Sequence, residues 1–593
     1  MEQKNNLSNK LTFIIIAILG IVIYHQVAFF HFINWDDNFY VIQNPYIRSL
    51  TLQNLLFIFS HYYYHGVYEP LQLLSYMLIY RIDGLNPLWF HIFDATLLIA
   101  DAMLVYLVIK KVASPMTATI ASLLFLLAPV NADSAAWVSE LKNTQSLFFA
   151  LLSLLFYLAF IKRSRASSYF ISIVFFLFAL LTKETVATMA GVLFVLEWYV
   201  FEKSPSKTFF QQIPFYVLAV VAALVFVMGQ LNLHASNPAQ LGNAYQHLLA
   251  VVVNTAGVAS YPIKILFPFK LNSFYTTDII SSILTARFIL SMTTLIVVGC
   301  LMYVSYKKHS KAFFWGAWYF LSMLPALGIV VVPFYTNWYL LVPSIGIYAL
   351  IGMGAEYLYN SVNIKKISIS LVSIIIIIFG ILDYQRVGVW RDDTHLWKDA
   401  IQKTPNYYFG YMMYAMALAQ HKDYQGAAQN AEKSLKLNPY NMRLLSIFAF
   451  FSLEGRNYTK ALAYIQQGLK YEPTNIDFMH MLALYYKGVN DDINYERELK
   501  KCALLDPYMI AYVNELANYY VAHGETDKAL SLVNDIIAQH PGNPLFYRLL
   551  GAYYLKYTND TYHAKKALEK SLSLDPRQQG ADTLKQLIQK LPG

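Results

Sequence analysis

The chain has 593 residues, more than one ordinary domain needs. Hydrophobic residues make up 57% and charged residues 14%, a balance too apolar for a water-soluble fold and one that points to a polytopic membrane protein. The net charge of +9 calls for no nucleic-acid partner, because the basic residues sit between apolar runs, as they do in cytoplasmic loops.

Residues 11–30 carry no charge over twenty positions, enough to cross a bilayer, and no small-x-small cleavage site follows, so they read as a retained helix. Further spans are expected at 88–109, 116–136, 144–161, 168–182, 185–201, 213–232, 285–306, 312–332, 338–359 and 367–383. The run 245–262 contains His247, Asn254 and Gly257 and ends at Tyr261-Pro262, so it reads as a re-entrant or bundle-packed segment as readily as a twelfth span. With Lys4 and Lys10 cytoplasmic, Lys110-Lys111, Lys162-Arg163-Arg165 and Lys203/Lys207 fall inside, while loops 31–87, 131–143 and 183–184 fall outside. Lys307, Lys308, Lys311, Lys365 and Lys366 also fall inside only if 245–262 does not cross. That count is preferred, and it gives eleven spans with the C-terminal part outside. The two cysteines, Cys300 and Cys502, lie far apart and offer neither a disulfide framework nor metal-type spacing.

Residues 391–593 differ in character. Prolines at 405, 439, 473, 507, 541 and 576 recur every 34 residues, with a final interval of 35, the period of the tetratricopeptide (TPR) repeat. Small residues agree independently: Ala415, Ala449, Ala483, Ala517 and Gly551 in the first helices, and Ala427, Ala461 and Ala529 in the second, where Tyr495 departs. The expected architecture is all-α, a transmembrane bundle over 1–390 followed by a TPR solenoid of about five repeats over 391–593. Its concave face is expected to be rich in tyrosine, from Tyr411, Tyr414, Tyr485, Tyr486, Tyr519, Tyr520, Tyr553 and Tyr554, and to receive a polypeptide or glycan.

The chemistry is expected in the first outer loop. Asp36 and Asp37 follow the first span, and two carboxylates at a membrane face are costly unless they work. The bland alternative is a solvated helix end. A carboxylate there suits removal of a proton from an attacking hydroxyl, and a lipid-phosphate leaving group needs cations, for which Lys183 and Lys142 lie at outer ends of spans. Lys183-Glu184 also reads as a hairpin whose charges pair with each other. His91 and Asp94 read as a hydrogen-bonded pair inside the bundle, with Asp101 on a similar helix face. The run Tyr62-Tyr63-Tyr64 suits an interfacial belt.

The order Trp35-Asp36-Asp37, Asn44-Pro45, Pro70-Leu71…Ser75, Gly84-Leu85-Asn86-Pro87…His91 resembles the transmembrane and TPR-repeat-containing family of GT-C glycosyltransferases. So do Pro129-Val130…Ala136-Trp137-Val138-Ser139-Glu140…Lys142-Asn143, Lys183-Glu184 and Tyr339…Pro343-Ser344-Ile345-Gly346. The resemblance covers nearly the whole chain. It implies an integral-membrane enzyme that moves a sugar, mannose or a similar hexose, from a polyprenyl-phosphate donor to a Ser/Thr hydroxyl of exported protein. It also implies Asp36 or Asp37 as the catalytic centre. Glu69, His91, Asp94, Glu140, Glu184 and Tyr339 are expected to support it or meet the acceptor. The sequence departs from the family pattern at Glu69, Ala128, Leu141 and Trp338. No cofactor is required by these residues, and a divalent metal is compatible with them.

Two other functions fit the same layout. A membrane polysaccharide ligase or assembly protein also joins a bundle to TPRs, but such enzymes tend to place a long basic loop late, whereas here the long acidic loop comes first. A non-catalytic TPR scaffold has no need of intramembrane Asp94, Asp101 and Glu197.

Overall fold

The structure, a computed structural model, describes residues 2–235, 261–273, 286–327, 336–361, 365–505, 510–576, 578 and 580–592. All regular structure among these residues is helical. The chain divides into two compact units, Met1–Ala428 and Gln429–Gly593.

Among the described residues of the first unit, six helices are long and apolar enough to cross a membrane: Asn9–Phe29, Pro87–Val112, Val138–Arg163, Ile213–Asn232, Trp338–Asn360 and Lys365–Arg391. With the shorter apolar helices Ala166–Thr182, Ser291–Lys307 and Ala312–Leu327, they make this an integral-membrane helix bundle. Proline opens several helices at the first helical turn, where its missing N–H costs nothing. Pro87 and Pro115 do so behind the side-chain caps of Asn86 and Ser114. Two expected spans are broken. The 116–136 run bends by 51° between Pro115–Leu126 and Pro129–Ala136, because Pro129 cannot continue the preceding ladder. The 185–201 run divides into Glu184–Thr188, Met189–Val195 and Leu196–Val200. Apart from Tyr261 and Pro262, the run 245–262 lies outside the described residues, as does the end of the 312–332 run.

Two glycines set helix spacing. A Cβ on Gly346 would stand 2.5 Å from the Trp315 carbonyl oxygen, and one on Gly352 would stand 2.7 Å from that of Thr117. Leu341–Asn360 therefore touches Ala312–Met323 and Pro115–Leu126 backbone to backbone, the close approach that small residues permit in membranes.

The long loop 31–87 is folded. It contains Leu52–Ser60, capped by Thr51, and Pro70–Asp83. Both pack with Tyr40, Val41 and Ile47 around a core that reaches Phe90 and Leu141.

The second unit is the repeat array. Its helix pairs are Met442–Glu454 with Tyr458–Tyr471, Ile476–Gly488 with Asp492–Leu505, Ile510–Ala522 with Thr526–Gln539, and Pro544–Tyr553 with Thr561–Leu574, closed by Ala581–Lys590. Asn441, Asn457, Asn475, Asn543 and Asp560 cap five of these helices. Ala449, Ala461, Ala483, Ala517 and Ala529 have no exposed surface, as their spacing requires. Tyr495, the departure, is accommodated in the stack by donating its hydroxyl to Glu515 at 3.0 Å. The tyrosine expectation needs correction in part. Tyr520 and Tyr553 are buried, as is Tyr411 in the first unit, because they fill the seams between helices. A cleft of about 410 Å³ instead lies between Met442–Glu454 and Ile476–Gly488, lined by Phe450, Phe451, Met481, His480 and Asp477.

Candidate active site

The chain leaves its first span at Phe29 and reaches the wide turn Asn38–Ile42 through the acidic pair. Asp37 is wholly buried and fully engaged. Its Oδ2 accepts the Ile33 N–H at 2.9 Å, and its Oδ1 accepts the Ser139 N–H at 2.9 Å and the Ser139 hydroxyl. Burial pushes the Asp37 carboxyl up to about 7, against the pull of these donors. Asp36 keeps part of its surface open. The protein packed around it pushes its carboxyl up to about 6, with Lys142 opposing and Glu140 and Glu69 adding to the rise. The neighbours thus differ in kind: Asp37 anchors the turn, and Asp36 is a partly open carboxylate that titrates just below neutrality.

A ring of charge surrounds Asp36. The Lys142 ammonium lies 3.8 Å from Glu69 Oε1 and 4.0 Å from Glu140 Oε1, over the Tyr40 ring at 4.9 Å. Tyr40 donates its hydroxyl to the other Glu69 oxygen at 3.1 Å. Lys183 lies 3.9 Å from Glu140 Oε2, donates to Asn143 Oδ1 at 2.6 Å, and stands 6.0 Å from the centre of the Tyr339 ring. The Asn143 amide donates to Glu140 in turn. Burial lowers the Lys183 ammonium, opposed by Glu140. Burial raises the Glu184 carboxyl, with Glu69 adding and Lys183 opposing. The structure thus brings together Asp36, Asp37, Glu69, Glu140, Lys142, Lys183, Glu184 and Tyr339.

His91 and Asp94 share no hydrogen bond or ion pair with this ring among the described residues. Both are buried in Pro87–Val112: His91 meets Phe30 edge-on at 5.8 Å, and Asp94 Oδ1 accepts the Thr144 hydroxyl at 2.5 Å. No hydrogen bond joins the two among the described residues. No three His, Cys, Asp or Glu side chains among the described residues form a metal-holding group. Glu69 and Glu140, the nearest carboxylates to such a role, already share Lys142.

Beside Glu184 and Tyr68 an apolar groove runs between Ala166–Thr182 and Ile213–Ala235, lined by Leu177, Leu181, Leu218, Val221 and Val225. On the other flank Trp35 stacks on Trp137 at 4.7 Å, and Trp137 stacks on Trp390 at 5.1 Å. Trp338, one of the departures from the family pattern, meets Trp137 edge-on at 5.5 Å. Leu141 and Ala128, two others, are core residues.

Sequence reasoning missed the network beneath this cluster. Asp133 Oδ1 accepts Arg386 Nε at 3.0 Å, Arg386 Nη2 at 2.8 Å and the Trp390 indole N–H at 2.8 Å, and Oδ2 accepts the Asn337 amide at 3.0 Å. Arg386 continues to Asp399 at 3.3 Å, which Lys403 also meets at 2.7 Å. The available signal was an arginine closing the last apolar run with an aspartate inside the Pro129…Ala136 segment.

No family model matches the chain. An alignment of 576 residues, covering 86% of this chain, is 22% identical to the human protein O-mannosyl-transferase TMTC3. A second, of 185 residues and 30% of the chain, is 25% identical to the human protein IFIT1 homolog B. The chain spans 58% of the first relative's length and 37% of the second's. Among solved structures, the Archaeoglobus fulgidus oligosaccharyltransferase is 13% identical with a TM-score of 0.37, covering 64% of this chain and 55% of its own. The TPR protein YrrB is 18% identical with a TM-score of 0.23, covering 32% of this chain and 99% of its own. The first human relative bears out the resemblance to the transmembrane and TPR-repeat-containing family that the motifs carry.

Proposed function

We propose that this chain, similar over most of its length to a protein O-mannosyl-transferase, is a membrane glycosyltransferase. It moves mannose or a similar hexose from a polyprenyl-phosphate donor to a Ser or Thr hydroxyl of an exported protein. The observation that carries this reading is a partly open carboxylate, the buried Lys183 and the largely covered Lys142 gathered in one cluster, with an apolar groove beside Glu184.

Asp36 takes the proton of the acceptor hydroxyl as that oxygen bonds to the sugar C1. The bond from C1 to the phosphate oxygen breaks, and its electron pair leaves with the polyprenyl phosphate. Lys183 and Lys142 meet the charge that develops there, and Glu140 and Asn143 hold Lys183 in place. The apolar groove receives the start of the polyprenyl chain. Asp37, committed to Ser139 and Ile33, orients the turn rather than the proton. No step here is routed through a divalent cation.

The cluster and the repeat array face the outside of the membrane, as the charge count favours, and the array recruits the acceptor polypeptide. Its cleft supports this role, with Phe450 and Phe451 as apolar contacts and Asp477 as an acidic rim. Mass spectrometry of exported proteins from cells with and without the gene tests the reading, with Asp36→Asn/Asp37→Asn as control. Hexose on Ser/Thr that is lost in both the deletion and the double variant supports it. Identical glycosylation in all three overturns it.

A further inference from the structure

The turn that carries Asp36 is held from two sides. On one side, Ser139 grips Asp37 and Trp137 stacks on Trp35. On the other stands the helix Asp393–Lys403, which leads into the repeats and belongs to the same compact unit as the bundle. The Asn34 N–H donates to Asp393 Oδ1 at 2.8 Å, across 359 positions of sequence. The His31 N–H donates to the Arg391 carbonyl at 3.0 Å. The Trp397 and Phe409 rings lie 5.3 and 6.3 Å from Trp35.

We propose that Asp393 is a positioning residue for the transfer reaction: its carboxylate fixes the Asn34 amide, two residues before Asp36, so that the lead-in helix of the repeats forms one wall of the active site. This inference rests on Asp36 as the base. Asp393 is buried in the first turn of its helix, yet it is not spent on capping it. Asp392 does that, accepting the His395 N–H at 2.9 Å. Burial pushes the Asp393 carboxyl up to about 6, so it is charged at neutral pH and its bond to an amide is of the stronger kind. The consecutive amides of Ile33 and Asn34 are thus tied to two different carboxylates, Asp37 and Asp393, and the Asp36 backbone has little room to swing. Freed of Asp393, the Asn34 amide loses its acceptor, and on that side the turn keeps only the Arg391 carbonyl and the Trp397 and Phe409 rings. A displacement of about 1 Å at a reacting group costs up to about 100-fold in rate.

The test uses the full-length chain in detergent or nanodiscs and compares Asp393→Ala with Asp393→Asn, whose Oδ1 can still accept from Asn34. Two readouts are taken: kcat and KM for donor and acceptor, and hydrogen exchange of the peptide spanning residues 31–37. Asp393→Ala is expected to lower kcat by about 10- to 100-fold, leave both KM values within about twofold, and speed exchange of the 31–37 peptide. Asp393→Asn is expected to retain most of the rate and the protection. An unchanged kcat in Asp393→Ala, or an equal loss in Asp393→Asn, overturns the proposal. So does an unprotected 31–37 peptide in the unaltered protein, a result that needs no variant to fold. Asp36→Asn is run in parallel. If it transfers sugar at full rate, the base assignment fails, whereas the exchange data still report separately whether Asp393 holds the turn.

Discussion

Replacing Arg386 with methionine removes the central cation of the network under the active site. Asp133 Oδ1 loses donors at 3.0 and 2.8 Å and keeps only the Trp390 indole, while Oδ2 keeps Asn337. The Arg386 and Asp133 side chains are 4% and 0% exposed, so water cannot replace what is lost. Removing one partner of a buried pair costs about 3–5 kcal/mol. Asp399 adds little to this, because Lys403 still meets it at 2.7 Å. Arg386→Met is therefore expected to lower unfolding stability by about 3–5 kcal/mol. Adding Asp133→Asn, which removes the stranded charge and keeps an acceptor for Trp390, should recover about half. The assay is equilibrium unfolding by SDS titration in mixed micelles, read by circular dichroism. A loss below about 1 kcal/mol in the single variant, the range of an exposed pair, would refute the reasoning. So would a double variant no more stable than the single.

Three further outcomes follow from the same geometry. Because burial lifts Asp36 to about 6 and a base must be ionised to act, kcat/KM should rise with pH through about 6 and fall about tenfold per unit well below it; a flat profile from pH 5 to 8 contradicts this. Lys183→Ala should raise the donor KM by roughly 10- to 100-fold, the worth of a charge-assisted contact, with a smaller change for the acceptor. An equal change in both would return Lys183 to a purely structural role. Gly352→Ala pushes a methyl group toward the Thr117 carbonyl and should cost about 1–3 kcal/mol, whereas Gly354→Ala, with nothing within 4 Å, should be neutral or stabilising; equal effects in SDS unfolding would deny the close helix contact.

Signals that are local in sequence were read correctly. The apolar runs, the 34-residue proline period and the buried alanines each repeat within a helix or a helix pair, and the fold follows them. What escaped depends on partners far along the chain. Which of Asp36 and Asp37 is saturated is decided by Ser139, 102 positions away. The Arg386–Asp133 pair spans 253 positions. Neither leaves a periodic trace. The tyrosines show a different ambiguity: Tyr520 recurs at the repeat period with Tyr486 and Tyr554, and Tyr553 with Tyr485 and Tyr519, but that period serves seam packing as well as an open groove, and burial decides at each position. The break at Pro129 was visible as a residue, but its 51° bend depends on how the two halves pack.

The central claim is that Asp36 is the base of a sugar transfer from a polyprenyl-phosphate donor. The most direct measurement reconstitutes the purified full-length chain with radiolabelled polyprenyl-phosphate mannose and a Ser/Thr-rich peptide, and compares initial rates with and without Asp36→Asn. The account predicts label on peptide hydroxyls with the unaltered chain, and a rate lowered by about 10²- to 10⁴-fold in a variant that unfolds at the same SDS concentration. Undiminished transfer by Asp36→Asn, or no transfer by the unaltered chain, would contradict it.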